Sequence, residues 1–492
     1  MNPEYLREAD KLVQDSITAL REGTRRKPEK VRDGEVPDML PFLANDHGNA
    51  CRLVALYGEG LRYCHAFKKW LVWDGMRWAV DEIDRARWLA KQTILEFLTQ
   101  AFNKGDQSSE KFARGSLDAR RITNMLAMAE CEIYVRPAEL DSNPFRLNFQ
   151  NGTVDLRTST LLPFQRQDLI TKVVHHRYSP EAHCPRWYAF LDRIMGGGPD
   201  VGEGALARAQ RLTDYLQRAL GYSLTGCTIE KAVFVLFGDG DNGKSTMLTT
   251  FRQLVEEYAQ LLQADTLMVR QESNNTQADL ADLRGSRFVQ TSETEEGQRL
   301  AQGKLKRITQ GMGRIKAVRK YENPIEFSET HKLWMDTNRK PTIRDADDTA
   351  TFNRLHPIPF TVRIPKEEID RELPAKLLTE AEGILAWAVA GARLWHESGL
   401  KKPAEVEIAK NEWRSEADQV GRFIEERCVT GEGFRVFAAA LYSDYKQWAE
   451  SGGEKLITGT AFGRKMADRY QKKEESRGNV YQGIGLRDKR DD

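Results

Sequence analysis

The sequence has almost no net charge, no paired-cysteine spacing and no long apolar run, and each absence removes a class of protein. Formal net charge is +1 over 492 residues. No global field therefore draws the chain to nucleic acid, and any such contact must come from a local basic surface. The six cysteines, Cys51, Cys64, Cys131, Cys184, Cys227 and Cys428, are scattered without C-x-x-C spacing, which argues for reduced thiols rather than a disulfide framework. Nothing at the N-terminus reads as a signal peptide and no stretch reads as a membrane span. A cytoplasmic protein without membrane contact is expected. His175, His176, His183 and Cys184 alone resemble a set of metal ligands, and their spacing matches no zinc pattern. No solenoid or propeller period is found, so at this length two to four domains are expected.

What is present centres on Lys231–Thr246, KAVFVLFGDGDNGKST. Val233–Phe237 is an apolar, β-branched and aromatic run that predicts a strand buried on both faces. Gly238, Asp239, Gly240, Asp241, Asn242, Gly243, Lys244 and Ser245 then fit the phosphate-loop pattern G-x-x-x-x-G-K-[ST], with Thr246 beside it and a helix expected over residues 247–258. Glycines let backbone N–H groups close around a β-phosphate, and a helix N-terminus favours the anion. Lys244 would reach the β/γ-phosphates, and the Ser245 hydroxyl would ligate Mg²⁺.

Downstream, RFVQTSETEEG predicts a second buried strand, expected beside the phosphate-loop strand, with Glu293 first and Glu295 second as the carboxylate that holds Mg²⁺ and orients the attacking water. Residues 304–320 are strongly basic. Arg314, Ile315, Lys316 and Ala317 alternate as one arm of a hairpin, residues 321–324 form its tip, and Ile325–Phe327 return. Such a hairpin suits a phosphate backbone, although a solvated surface would tolerate the same charges. A third strand, Leu333–Thr337, ends at Asn338, whose amide can hydrogen-bond a γ-phosphate or the lytic water. Arg354 opens a further strand, where an arginine can serve a neighbouring subunit's nucleotide. Helices are expected over residues 207–220, ending at Gly221, and over 375–399.

On either side the composition changes. Residues 1–40 begin with a helical pattern and pass into a charged tether. Residues 41–200 read as an α+β domain: hairpins turn at Asp74-Gly75 and Asn151-Gly152, and helices run over 86–102 and 119–129. Trp70, Trp73 and Trp78 suit a small core better than a base-stacking platform. Gly196-Gly197-Gly198-Pro199 marks the break before a motor at 201–400, with the helix over 187–194 assignable to either side. Residues 401–492 give helices over 417–428, 437–451 and 461–471, then a two-stranded segment turning near Gly478. This is the order of a winged helix that meets DNA, or docks on protein, through Arg464, Lys465, Arg469, Lys472, Lys473 and Arg477.

GDGDNGKST, QTSETEEG, RKYENPIEFSETHKLWMDTN and NRLHPIPF together resemble the motifs of superfamily III helicases, specifically the phage and plasmid primase/helicase family related to the poxvirus primase-helicase. NDHGNACRLVALYGEGLRYC, WLVWDG and NFQNGTVDL resemble the region that precedes the motor there. The resemblance implies an α/β, AAA+-like motor with a parallel central sheet, assembled as a hexameric ring with ATP between subunits. It implies an ATP-dependent DNA helicase of a phage, prophage or plasmid replication system, moving on single-stranded or forked DNA. By that resemblance Lys244 and Ser245 are the Walker A pair, Glu293 the Walker B acid, Asn338 the sensor and Arg354 the arginine finger. Lys231 and Lys306 are further trans-acting cations, and Arg319, Lys320 and Tyr321 sit in the pore hairpin. TQGMG departs from the TGGD of many relatives. Only about forty residues precede the resemblance, so priming is expected to fall to a separate primase or polymerase. The alternative is an ATP-switched initiator or regulator that binds DNA without unwinding it.

Overall fold

The computed structural model describes residues 36–269, 276–291, 298–318, 325–452 and 456–487. The N-terminal helical pattern and most of the tether lie outside these residues.

The first part opens with α1 (Asp46–Tyr57), capped by Asn45, whose side chain accepts from the Gly48 N–H, which answers one of the helix's orphan donors. β1 (Leu61–Cys64), β2 (Lys69–Trp73) and β3 (Trp78–Val80) form an antiparallel sheet. Asp74 makes the β2–β3 turn by accepting from the Met76 and Arg77 N–H groups, both at 2.8 Å, as an Asx turn requires. Trp73 pairs with Trp78 across it, and both are buried, which makes them core. α2 (Arg85–Lys104) and α4 (Ala119–Ala129) share a core with the sheet, and α3 (Gln107–Ser116) packs on α2. α3 was not foreseen, because its QSSEKFARGS sequence has almost no apolar stripe. β4 (Arg146–Phe149), β5 (Gly152–Asp155) and β6 (Thr160–Leu162) make a second antiparallel sheet, with Phe149 opposite Gly152.

α5 (Pro185–Met195) and α6 (Glu203–Leu224) lead into the central sheet. α6 continues past Gly221 instead of stopping there. That glycine marks a helix crossing, since a Cβ on it would lie 2.1 Å from the Ala392 nitrogen. β7 (Val233–Phe237) is followed by α7 (Lys244–Val255), β8 (Ala259–Leu262), α8 (Thr276–Ala281), β9 (Phe288–Thr291), α9 (Gln302–Ile308), β10 (Arg314–Ala317), β11 (Ile325–Ser328), β12 (Lys332–Thr337), α10 (Thr349–Phe352) and β13 (Leu355–Pro359). Five of these strands form one parallel sheet in the order β13-β7-β12-β9-β8. β9, expected beside the phosphate-loop strand, is separated from it by β12, the strand that leads to Asn338. One face of the sheet, with Phe234, Leu236, Trp334 and Ile358, shares its core with α5, α6, α7 and the β4–β5 hairpin. The other, with Val233, Val235, Leu333 and Met335, packs on the β10–β11 hairpin.

The long helix expected over 375–399 is two: α11 (Leu373–Leu378) and α12 (Ala381–Ser398). Glu380 interrupts it because its carboxylate turns to accept from the Arg186 and Trp187 N–H groups at 3.0 and 3.1 Å, capping α5. α13 (Ala404–Ala417) then runs back along the sheet, and buried Trp413 joins its core. The C-terminal unit is α14 (Gln419–Arg427), β14 (Cys428–Phe437), α15 (Ala438–Ser451), α16 (Gly459–Ala467), β15 (Lys472–Glu475) and β16 (Gly478–Leu486), with sheet order β14-β16-β15. β14 was missed because it carries Gly431 and Gly433 and no apolar alternation. It bulges between Thr430 and Arg435 where it pairs with β16. Among the described residues no helix is long and apolar enough to cross a membrane.

Candidate functional site

The chain turns sharply at the C-terminal end of β7. Gly238 has φ +145°, and a Cβ there would lie 2.1 Å from the Phe360 carbonyl oxygen. Gly243 has φ +83°, and a Cβ there would lie 2.6 Å from the Ile194 side chain. Only glycine meets both demands, a positive φ and a wall closer than any Cβ could approach. α5 therefore packs directly beneath the loop. The helix that follows begins at Lys244 itself, so its unpaired N–H groups open onto the loop.

Lys244 is buried. Its Nζ donates to the Gly238 oxygen at 2.6 Å, the Asp239 oxygen at 3.3 Å, Asn242 Oδ1 at 3.0 Å and Asn338 Oδ1 at 3.4 Å. Asn242 is held by the Asp239 and Phe360 carbonyls. The structure thus brings Lys244, Asn242 and Asn338 together and leaves Ser245 exposed on the first turn of α7. Glu293 and Glu295 lie outside the described residues. Asp336 went unnoticed in the sequence: it is buried in β12, in register with Leu236 of β7. Strand alternation from Trp334 turns it toward the α7 side. The signal was available, an acid in the penultimate position of the strand, directly after the apolar run Leu333–Met335.

Arg354 and Lys231 lie at the opposite end of the sheet. Arg354 precedes β13, and its guanidinium donates to the Thr309 oxygen at 3.1 Å and the Ala350 oxygen at 2.6 Å. Lys231 precedes β7 with φ 50°, and its stem lies against Gly311. Both thus border the Thr309–Gly313 loop. A five-residue strand separates this end from the phosphate loop, about 16 Å.

A buried polar cluster underlies the same loop. Lys332 Nζ donates to the Thr225, Cys227 and Thr330 carbonyls, filling all three of its donors. Burial, then the charge of Arg287, holds its pKa well below the ordinary lysine range. Glu329 accepts from the Gly311 N–H at 3.1 Å. Burial pushes its carboxyl up to about 7, against the opposing pull of the Gly311 and Gln310 N–H groups, Lys332 and Arg354. The Glu329 N–H donates to the Gly313 oxygen at 2.9 Å, closing the base of the β10–β11 hairpin.

That hairpin forms, with Ile315 opposite Phe327 and Ala317 opposite Ile325. Ile315 and Ala317 are buried while Arg314 and Lys316 are exposed, so the alternation separates core from cation. Arg319, Lys320, Tyr321 and the tip lie outside the described residues. Lys306 is engaged within the chain, donating to Asp348 at 2.8 Å. Of the six basic residues singled out in the C-terminal unit, Lys465 pairs with Asp345 and Asp347, and Arg469 with Asp347 and Asp418. Arg464, Lys472, Lys473 and Arg477 are exposed. His175 Nε2 lies 3.0 Å from Glu257 Oε1, joining the first part to the end of α7. Among the described residues no group of His, Cys, Asp and Glu is placed to hold a metal.

Three family profiles match successive parts of the chain. One described as D5 N terminal like covers residues 50–196, a family of unknown function (DUF5906) covers 236–354, and one described as poxvirus D5 protein-like covers 415–483. A helicase-named protein of Acanthamoeba polyphaga mimivirus is 25% identical over 338 residues, 63% of this chain and 34% of its own length. A helicase-named protein of Frog virus 3 (isolate Goorha) is 23% identical over 256 residues, 48% and 26% respectively. The chain thus spans a third or less of the curated relatives it matches. Among solved structures, the apo C-terminal region of NrS-1 (305-718) aligns with 89% of this chain and 99% of that one, at TM-score 0.47 and 13% identity. A second, A-form apo structure of that region gives 0.46 and 12%, over 88% and 98%. The chain is thus similar, part by part, to D5-type proteins and to viral proteins named as helicases.

Proposed function

We propose that this chain is an ATP-dependent DNA helicase motor of superfamily III type, working in a viral, phage or plasmid replication system as a ring, with a hexamer the expected size. The observation that carries this reading is the separation of Lys244 and Asn338 from Arg354 and Lys231 at opposite ends of one sheet. One protomer cannot bring both sets to the same nucleotide, whereas head-to-tail neighbours in a ring can. The cradle fits a nucleotide polyphosphate, because Gly238 and Gly243 let the loop close against Phe360 and α5 and the α7 N-terminus opens onto it. Bound Mg²⁺ would bridge the phosphate oxygens and offset their charge, held by Ser245 with Glu293 or Glu295. Asp336 is a further carboxylate for that role.

Lys244 would exchange its carbonyl partners for phosphate oxygens. Asn338, already within reach of Lys244, would orient the attacking water without adding charge. Arg354 would give up the Thr309 carbonyl to stabilise transition-state charge on the neighbour's nucleotide. Because Thr309 begins the loop at the hairpin base, that exchange has a direct route to the hairpin that carries Arg314, Lys316, Arg319, Lys320 and Tyr321, the residues proposed to grip single-stranded DNA. Base identity should matter little, since phosphates carry the contact.

The test is a mixing experiment. Lys244→Ala and Arg354→Ala should each lose at least about 100-fold in ATP turnover. Mixed in equal amounts, they should recover activity at roughly a quarter of the interfaces, those that pair an intact Lys244 with an intact Arg354. A mixture as inactive as its components, or full turnover by Arg354→Ala, overturns the shared-site reading. The rival, an ATP-switched initiator without unwinding, draws on the C-terminal order helix, strand, helix, helix, strand, strand, which suits a winged helix. ATP-dependent binding to a forked DNA without strand release would favour it.

A further inference from the structure

The segment that leaves β12 at Asn338 carries an acidic loop, Arg344–Asp348, and this loop faces the third helix of the C-terminal unit. Lys465 on α16 and Arg469, two residues past the end of that helix, both reach it. Lys465 Nζ contacts Asp347 Oδ2 and lies 3.4 Å from Asp345 Oδ1, and Arg469 lies 3.9 Å from Asp347 Oδ1. α13 fixes the loop from behind: Trp413 Nε1 donates to the Pro341 oxygen at 3.2 Å and Arg414 Nε to the Ala346 oxygen at 2.9 Å. The carboxylates are thus presented on a braced backbone.

We propose that this loop is an internal substitute for a phosphate backbone, holding Lys465 of α16 and drawing on Arg469, which also pairs with Asp418 at 2.7 Å, until duplex DNA displaces it. Charge complementarity names the occupant. Arg464 on the same helix, Lys472 and Lys473 on the following strand and Arg477 in the turn after it are exposed, so displacement would add Lys465, with Arg469 beside it, to four open cations along one helix-and-hairpin surface. The strength of the contact also suits displacement. Asp345 and Asp347 remain about half exposed, and pairs of this kind each change an equilibrium by about fivefold or less. A duplex that engages several cations at once gains counterion release with each. The inference rests on the proposed action on DNA but not on ATP turnover.

The test uses the full chain without nucleotide, a fluorescein-labelled 20-base-pair duplex and a single strand of the same length, read by anisotropy at 50 and 200 mM salt. Asp345→Asn with Asp347→Asn should tighten duplex binding by about five- to tenfold at 50 mM salt. Adding Lys465→Gln and Arg469→Gln should abolish that gain. Thermal midpoints should show that every variant is folded. Unchanged duplex affinity in the double variant overturns the proposal, as does a gain that persists without Lys465 and Arg469, since that would reflect overall charge alone. Single-strand binding with no duplex gain overturns the latch and leaves the DNA reading standing, whereas binding of neither probe overturns both.

Discussion

The two ends of the central sheet are built by different means. At the C-terminal end, the phosphate loop is a backbone device: Gly238 and Gly243 fix its path, α5 and Phe360 wall it in, and Lys244 and Asn338 project into it. At the N-terminal end, the Thr309–Gly313 loop rests on buried side chains brought from distant parts of the sequence, Lys332 on the Thr225, Cys227 and Thr330 carbonyls and Glu329 on Gly311. The first end should lose function when its side chains change and stability only when its glycines do. The second should lose stability first.

The largest test of that contrast is Lys332→Met, which leaves three buried carbonyls without their donor. Chemical denaturation should show a loss of about 3–4 kcal/mol, and a loss below about 1 kcal/mol would break the comparison. Glu329→Gln should act in the opposite direction and depend on pH. Folded Glu329 holds its proton up to about 7, against an ordinary 4.5, so the folded state binds more protons than the unfolded chain between those values. Stability contributed by this group therefore falls as pH rises from about 4.5 to about 7 and is level above that. The glutamine variant, neutral throughout, should match the parent at pH 4.5 and exceed it by up to about 3 kcal/mol at pH 8. Thermal melts at the two pH values would check this.

At the other end, Gly243→Ala places a Cβ against Ile194 at a left-handed backbone position and should cost about 2 kcal/mol, measured as a shift in denaturation midpoint. Asn338→Ala should change stability by no more than about 0.5 kcal/mol, because the residue is exposed, while ATP turnover falls. An Asn338 variant that unfolds as readily as Lys332→Met would erase the distinction between the two ends.

Much of the phosphate-loop end was legible because its determinants are local. Val233–Phe237 was bounded correctly since an apolar β-branched run ending in glycine has few other readings, and the loop motif spaces its residues within one turn. The β10–β11 hairpin was legible for the same reason: alternation over four residues sets its faces. The boundary helix over 187–194 could not be placed from its sequence. It packs under Gly243 through Phe190 and Ile194, a contact between residues about fifty apart. The fate of Lys306, Lys465 and Arg469 was equally hidden. The sequence offers Lys306 to a neighbouring subunit and Lys465 and Arg469 to DNA or protein, and each meets an aspartate of the 345–348 loop, because ion pairs between distant segments leave no periodicity behind.

The sequence by itself determined the phosphate-loop strand, the β10–β11 hairpin, the phosphate loop and the order of the parts, since backbone preference and hydrophobic period act between near neighbours. The tertiary structure alone decided the strand order, which sets Asn338 beside Lys244 and β12 between β7 and β9. It alone decided that Arg354 and Lys244 occupy opposite ends of one sheet and that an acidic loop covers α16. Those outcomes depend on which surfaces exclude water together and which charges then meet, and a linear chain carries no local record of either.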